Sequence, residues 1–211
     1  MTVREQVILL HGIMRTSRHM KRLATFLGKN GYEVININYP SLKYDLDALA
    51  ELTWDNLQHQ INNNTKINFV GYSMGGLLSR VIINKYQPDN LGRAVLIGVP
   101  NNGSEVADLL KNNLFYKKFF GPSGQQLITD QSAFSHLFGE VYYEVGCIAG
   151  TLGIYPSSLL FKSKNDGRVS VESTKIIGMS DHIEILNAHA YLPVSKKVHI
   201  STFNFLKNGK F

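Results

Sequence analysis

Apolar positions along this chain change their period again and again. QVILLHG (6–12) is a nearly continuous apolar run, as expected of a strand covered on both faces. A segment of helical period follows over 18–29 and closes near Gly31, and YEVININYP (32–40) predicts a second strand ended by Pro40. Leu46, Leu49, Leu52, Leu57 and Ile61 recur at helical spacing and predict a helix over 45–63. KINFVGYS (66–73) then reads as a strand, MGGLLSRVIINKY (74–86) as a helix stopped by Pro88, and GRAVLIGVP (92–100) as the next strand. This alternation predicts an α/β protein with a mostly parallel central sheet and helices on both faces.

The alternation breaks over 101–140, where polar, glycine-bearing and aromatic pieces follow one another without a clean period. That stretch predicts a small cap or lid inserted into the sheet-and-helix pattern. YYEVGCIAG (142–150) returns to the sheet, a loop runs to DGRVS (166–170), HIEILN (182–187) is the expected last strand, and 194–207 a closing helix. With no internal repeat and no linker, the expectation is one domain over residues 1–211 with the cap inserted at about 101–140.

Composition narrows the function classes. The formal net charge of +6 raises a nucleic-acid reading, but the lysines and arginines are scattered, with no long basic run and no recognition motif, so nucleic acid is not expected as a partner. Weak attraction to an anionic membrane surface or to an acidic substrate is a less remote reading of the charge. The first apolar run is short, follows Arg4 and Glu5, and leads directly into His11-Gly12, so it reads as a core strand and predicts a cytoplasmic protein. The single cysteine, Cys147, lies in an apolar run and reads as a packing residue. No His/Cys/Asp/Glu cluster has metal-ligand spacing and no glycine-rich phosphate loop appears, so no metal and no cofactor are implied.

The chemistry gathers around Gly71-Tyr72-Ser73-Met74-Gly75. A G-x-S-x-G pattern by itself is weak, but here the serine falls at the junction of a predicted strand and a predicted helix, where a nucleophile elbow sits. Glycines two residues before and after a serine on so sharp a turn leave room for neighbouring backbone. The helix N-terminus is aimed at negative charge developing beside that serine. His11-Gly12 ends the first strand, and the loop after it supplies one amide of an oxyanion hole, with the residue after the nucleophile supplying the other. The amides expected in those places are Ile13 and Met74, while His11 itself reads as a support beneath the loop.

A serine in such an elbow is followed in chain order by an acid and then a histidine. His136 falls in the insertion, His199 within the closing helix where a solvent-facing position is expected, and His182 at the start of the last strand, the wrong end of the sheet. His189 comes just after that strand, at the carboxyl end where catalytic groups collect, and is the expected base. Asp166, in the turn sequence Asn165-Asp166-Gly167, is the expected acid; Asp181 is the second candidate, and Asp130 lies in the insertion.

HG at 11–12, GYSMGG at 71–76, PNNGSEVAD at 100–108, GPSGQQL at 121–127 and NDGRVSVES at 165–173 together resemble the small bacterial α/β-hydrolases of the lipase and esterase group, over nearly the whole chain. GMSDHIEILNAHAYL (178–192) resembles the stretch that carries the family histidine, with His189 at the corresponding position and Ala190 where threonine or serine is usual. The resemblance implies an α/β-hydrolase fold and hydrolysis of a carboxylic ester, from a small molecule or a lipid, by a Ser73–His189–Asp166 triad. Acyl transfer or thioester hydrolysis by the same triad, or a catalytically silent binding module, are the alternatives. LLKNNLFYKKFFGP (109–122) reads as a cap or pocket wall for an acyl chain, or else as a contact with a membrane surface.

Overall fold

The computed structural model describes residues 4–103, 121–126, 135–161 and 163–211. Among them, β1 (Gln6–Leu10), α1 (Ser17–Lys29), β2 (Glu33–Asn36), α2 (Leu46–Gln58), β3 (Ile67–Tyr72), α3 (Met74–Tyr86), β4 (Leu91–Ile97), β5 (Val145–Gly150), β6 (Asp181–Ile185) and α4 (Lys196–Asn208) follow in chain order. The strands form a six-stranded sheet in the order β2-β1-β3-β4-β5-β6, and every pairing is parallel.

The apolar run of β1 shows why the sheet is buried on both sides. Successive side chains of a strand point to opposite faces. Val7 and Leu9 pack with Met20, Leu23 and Leu27 of α1 and with Val198, Phe205 and Leu206 of α4. Ile8 and Leu10 pack on the other face with Leu46, Leu49 and Leu57 of α2 and with Leu77, Leu78 and Ile82 of α3. Cys147 of β5 belongs to the second of these cores and is fully buried, which pushes its thiol up to about 12 and leaves it a packing residue.

Several elements differ in length from what the apolar pattern predicts, and some of the differences have a local reason. The second strand ends at Asn36, because Asn36 is in register with Leu9 and β1 stops one residue later. Beyond it the chain turns to α1: Asn36 Nδ2 donates to the Ser17 carbonyl and the Ser17 amide donates to Asn38 Oδ1. The helix expected over 45–63 begins after Asp45, whose carboxylate caps the Ala48 amide at 2.9 Å, and ends at Gln58. The Asn62-Asn63-Asn64 run favours turns over helix, although Ile61 still packs on the core. Tyr142 and Tyr143 lie outside β5, the Tyr142 hydroxyl donating to the Ile83 carbonyl of α3. The last strand starts one residue early, at Asp181, and stops at Ile185. The cap expected over 101–140 and the 109–122 stretch fall largely outside the described residues.

This strand order places the site. The chain leaves β1 outward to β2 and returns past it to β3, so β1 and β3 are neighbours whose following segments diverge. Ligands of open parallel sheets bind at such a switch point, outside the carboxyl ends of the strands. Leu10 is in register with Gly71, Tyr72 with Ile97, Ile97 with Ile148, and Gly150 with Ile185, so five strands end side by side.

Candidate active site

Ser73 stands between β3 and α3 with φ 53° and ψ −128°, a left-handed backbone that an ordinary residue adopts at a cost of about 1–3 kcal/mol. Its surroundings hold it there. The Ser73 amide donates to the Ile97 carbonyl of β4 at 2.9 Å, and the Gly76 amide donates to the Ser73 carbonyl at 2.9 Å. A Cβ on Gly71 would lie 2.3 Å from Gly76 Cα, and one on Gly75 would lie 2.3 Å from the Leu10 carbonyl oxygen. Only glycine lets the three segments close so tightly around the turn.

His189 opens a 3₁₀ segment, His189–Val194, that follows β6. Its Nδ1–H donates to Asp166 Oδ2 at 2.7 Å, and Ser73 Oγ donates to its Nε2 at 3.1 Å. The carboxylate accepts, so the ring proton sits on Nδ1 and Nε2 is left as the acceptor facing the hydroxyl. Ser73 is 8% exposed, His189 3% and Asp166 fully buried, so the row runs from a nearly covered hydroxyl inward.

Asp166 has two jobs at once. Its Oδ1 accepts from the amides of Arg168 and Val169, which folds the 165–170 turn, while Oδ2 takes the histidine. The two residues are also joined through backbone, the His189 amide donating to the Asp166 carbonyl at 3.0 Å. Gly98 follows β4 at φ 56°, and a Cβ there would meet His189 Nδ1 at 3.3 Å and Asp166 Oδ2 at 3.4 Å.

The loop after β1 lies against the elbow. A Cβ on Gly12 would meet Ser73 Cβ at 3.2 Å. His11 is buried, stacked on Tyr39 with ring centroids 4.1 Å apart, and its Nδ1–H donates to the Gly12 carbonyl. The Tyr39 hydroxyl donates to the His11 carbonyl, and Met14, at φ 57°, donates its amide to Ser41 Oγ at 3.2 Å. His11 thus supports the loop; burial holds its ionisation below the ordinary histidine range. The amides of Ile13 and Met74 have no hydrogen-bond acceptor among the described residues.

Two residues at the site were invisible to motif reasoning. The Tyr72 hydroxyl donates to the His189 carbonyl at 3.1 Å, and its ring lies 5.2 Å from the imidazole. Burial, reinforced by the Asp166 carboxylate, pushes the Tyr72 hydroxyl's ionisation up and keeps it a neutral donor. His19 of α1 leans on the other side of Tyr72, 5.4 Å between centroids, with its ionisation lowered by burial and then by Arg15. The x position of G-x-S-x-G carried no signal beyond being aromatic.

The rejected candidates lie elsewhere. His182, second in β6, pairs its Nε2 with the Thr174 hydroxyl, and Asp181 accepts from the Phe211 amide at the amino end of the strand. His136 is exposed in a short 3₁₀ turn, Ser135–Leu137. Asp130 lies outside the described residues. His199 corrects the expectation of a solvent-facing residue: it is buried, with Nε2 2.8 Å from the Pro193 carbonyl and its ring tilted on Phe26. The apolar face of α4 turns it inward onto α1. No group of three His, Cys, Asp or Glu residues that could hold a metal occurs among the described residues, and no helix there is long and apolar enough to cross a membrane.

The chain matches the alpha/beta hydrolase fold family over residues 6–123, more than half its length. Among solved structures it is similar to the mature form of a lipase from Bacillus licheniformis, at 18% identity and a TM-score of 0.78, covering 100% of this chain and 94% of that one. Of the propeptide form of the same lipase the chain spans 50%. It is similar also to a carboxyl esterase of metagenomic origin, at 15% identity and a TM-score of 0.73, covering 91% of this chain and 66% of that one. A thermophilic esterase from Thermogutta terrifontis matches at 14% identity and a TM-score of 0.63, covering 98% and 91%. At such identities the likeness is one of fold.

Proposed function

The chain belongs to the alpha/beta hydrolase fold family, and from that premise we propose that it is a serine hydrolase that cleaves carboxylic esters through an acyl-enzyme on Ser73. The observation that carries the reading is the hydrogen-bonded row Asp166–His189–Ser73, which begins on a strained strand-to-helix turn. The reading takes residues 1–211 as one domain with a cap at about 101–140.

In this mechanism Ser73 Oγ attacks the ester carbonyl while His189 Nε2 takes its proton. Asp166 keeps the other ring proton on Nδ1 and stabilises the imidazolium that forms. The tetrahedral oxyanion accepts from the amides of Ile13 and Met74, the latter at the positive end of α3. His189 returns its proton to the leaving alcohol, and a water activated by the same nitrogen then releases the carboxylic acid. Every step uses groups on this chain and one water. The substrate is a small-molecule or lipid ester, in keeping with the esterase and lipase names of the structural neighbours.

The test is a series of p-nitrophenyl esters of increasing acyl length, with wild type and Ser73→Ala, in the presence and absence of lipid vesicles. Wild type hydrolyses at least the short members, the rate survives EDTA, and Ser73→Ala is reduced by about a millionfold, to background. Equal turnover by the two proteins would overturn the proposal.

A further inference from the structure

Arg80 of α3 is a buried charged residue that the proposed ester chemistry leaves unused. It lies seven residues after Ser73, about 10 Å along the helix axis, yet it is only 7% exposed. Buried arginines ordinarily sit against a carboxylate, since a guanidinium taken from water without a counter-charge is costly. No carboxylate lies within ion-pair distance of Arg80 among the described residues. Its Nη1 donates to Asn101 Oδ1 at 3.1 Å, and its guanidinium lies 4.6 Å from the Phe138 ring centroid. Nε is buried with no acceptor among the described residues. A neutral amide and a ring face compensate this charge poorly, and burial accordingly lowers the ionisation of Arg80.

Arg80 also lines a cavity of about 610 Å³. The other walls are mostly apolar, from Phe138, Val141 and Ile176, with Asn101 beside the guanidinium. The one acid in the lining, Glu140, is exposed at the rim and makes no ion pair with Arg80. None of Ser73, Asp166 and His189 lines this space. Its volume falls within the range of small-molecule sites, which join apolar walls to a few placed polar groups. Its walls are firmly held: Asn101 Nδ2 donates to the Thr174 carbonyl, and Asn102 donates to the carbonyls of Ser173 and Lys175.

We propose that the Arg80 cavity is a second binding site, for a carboxylate with an apolar body, separate from the Ser73 cleft. The guanidinium supplies the planar fork that carboxylates prefer, and the Phe138, Val141 and Ile176 walls take the hydrocarbon. The ligand class includes the acids that ester hydrolysis releases, but the site does not depend on Ser73 being a nucleophile.

Calorimetric titration of the full chain with sodium octanoate, and with 1-octanol as the neutral control, tests it. Octanoate binds saturably at one site and octanol does not. Arg80→Gln weakens octanoate by roughly tenfold or more, the loss expected when a charge-assisted hydrogen bond is removed. Val141→Trp, which puts a bulky ring on the apolar wall and leaves Arg80 in place, weakens binding by a similar factor, with circular dichroism confirming that both variants are folded. Absence of octanoate binding to wild type, equal binding of octanol, or octanoate binding that survives undiminished in both variants would overturn the site. Binding that persists in Arg80→Gln but disappears once a fluorophosphonate blocks Ser73 would assign the acid to the catalytic cleft. Failure of Ser73 to react at all contradicts only the proposed ester chemistry, since the two cavity variants are read without it.

Discussion

The proposed nucleophile side and the proposed acid–base side of the site are built in opposite ways. Ser73 sits on a turn whose geometry is dictated within five residues, by glycines that let α3, β3 and β1 approach to distances that no side chain permits. Asp166 and His189 sit on separate segments, a tight turn and a 3₁₀ start, and meet through a side-chain bond and a backbone bond across 23 positions of chain. The first side depends on close backbone approach, with backbone hydrogen bonds across it, and the second on hydrogen bonds between distant segments. The elbow should therefore fail in stability when disturbed, whereas the acid–base pair should fail in chemistry with the fold intact.

The largest effect on chemistry falls on the base. His189→Ala lowers p-nitrophenyl ester turnover by about five to six orders of magnitude, while His182→Ala, which removes only a partner of Thr174, keeps most of the wild-type rate. A steady-state assay of the two variants decides between them, and the reverse ranking would move the base to β6. Next comes Asp166→Asn. The amide can still accept from the Arg168 and Val169 amides, so the turn persists, but it no longer keeps the proton on His189 Nδ1. The turnover number falls by about 10³–10⁴-fold with little change in melting temperature. A comparable loss of melting temperature would show that the acid–base side, too, is held mainly by packing.

The elbow gives the contrasting result. Gly75→Ala puts a methyl 2.3 Å from the Leu10 carbonyl and 2.4 Å from that of His11, and should cost several kcal/mol, at about the 4 kcal/mol level of the severest single changes. Gly28→Ala, in the exposed last turn of α1 with nothing within 4 Å of the new methyl, should stabilise by about 0.5–1 kcal/mol. Urea melts of the two variants measure the difference.

These two constructions also explain what could be read from the amino-acid sequence. The elbow is local, so GYSMGG flanked by a β-branched run and a helical run is enough to single out Ser73 as a candidate, and the continuous apolar strands are enough to give a parallel sheet covered on both faces. His189 was reachable because the carboxyl end of a strand is a place that can be counted to. Tyr72 was not, since its hydroxyl meets the His189 carbonyl 117 positions away and no local pattern encodes that bond. The strand expected to run to Pro40 failed for a similar reason: its length is set by where its neighbour β1 stops. His199 was misjudged because a polar residue on a helix reads as exposed, while here the packing of α4 on α1 carries it inside.

Buried histidines supply the smallest predicted effect. Burial lowers the ionisation of His11, His182 and His199 in the folded protein below the ordinary value of 6.5. From about one pH unit above 6.5 downward the unfolded chain therefore binds more protons than the folded one, and stability falls as pH drops toward the folded values; well above 6.5 both states are neutral and the dependence vanishes. Melting temperature should be nearly flat between pH 7 and 8 and decline from 6.5 to 5. His199→Gln, which keeps an amide donor for the Pro193 carbonyl, should make that decline shallower.

The proposed chemistry requires that Ser73 be an activated nucleophile. Intact-protein mass spectrometry after reaction with a fluorophosphonate, followed by peptide mapping, reads this without any assumption about the substrate. One phosphonyl group on Ser73, absent from Ser73→Ala and strongly slowed in His189→Ala, is the predicted result. Folded wild-type protein that takes up no phosphonyl group, or takes it up at another residue, would contradict it.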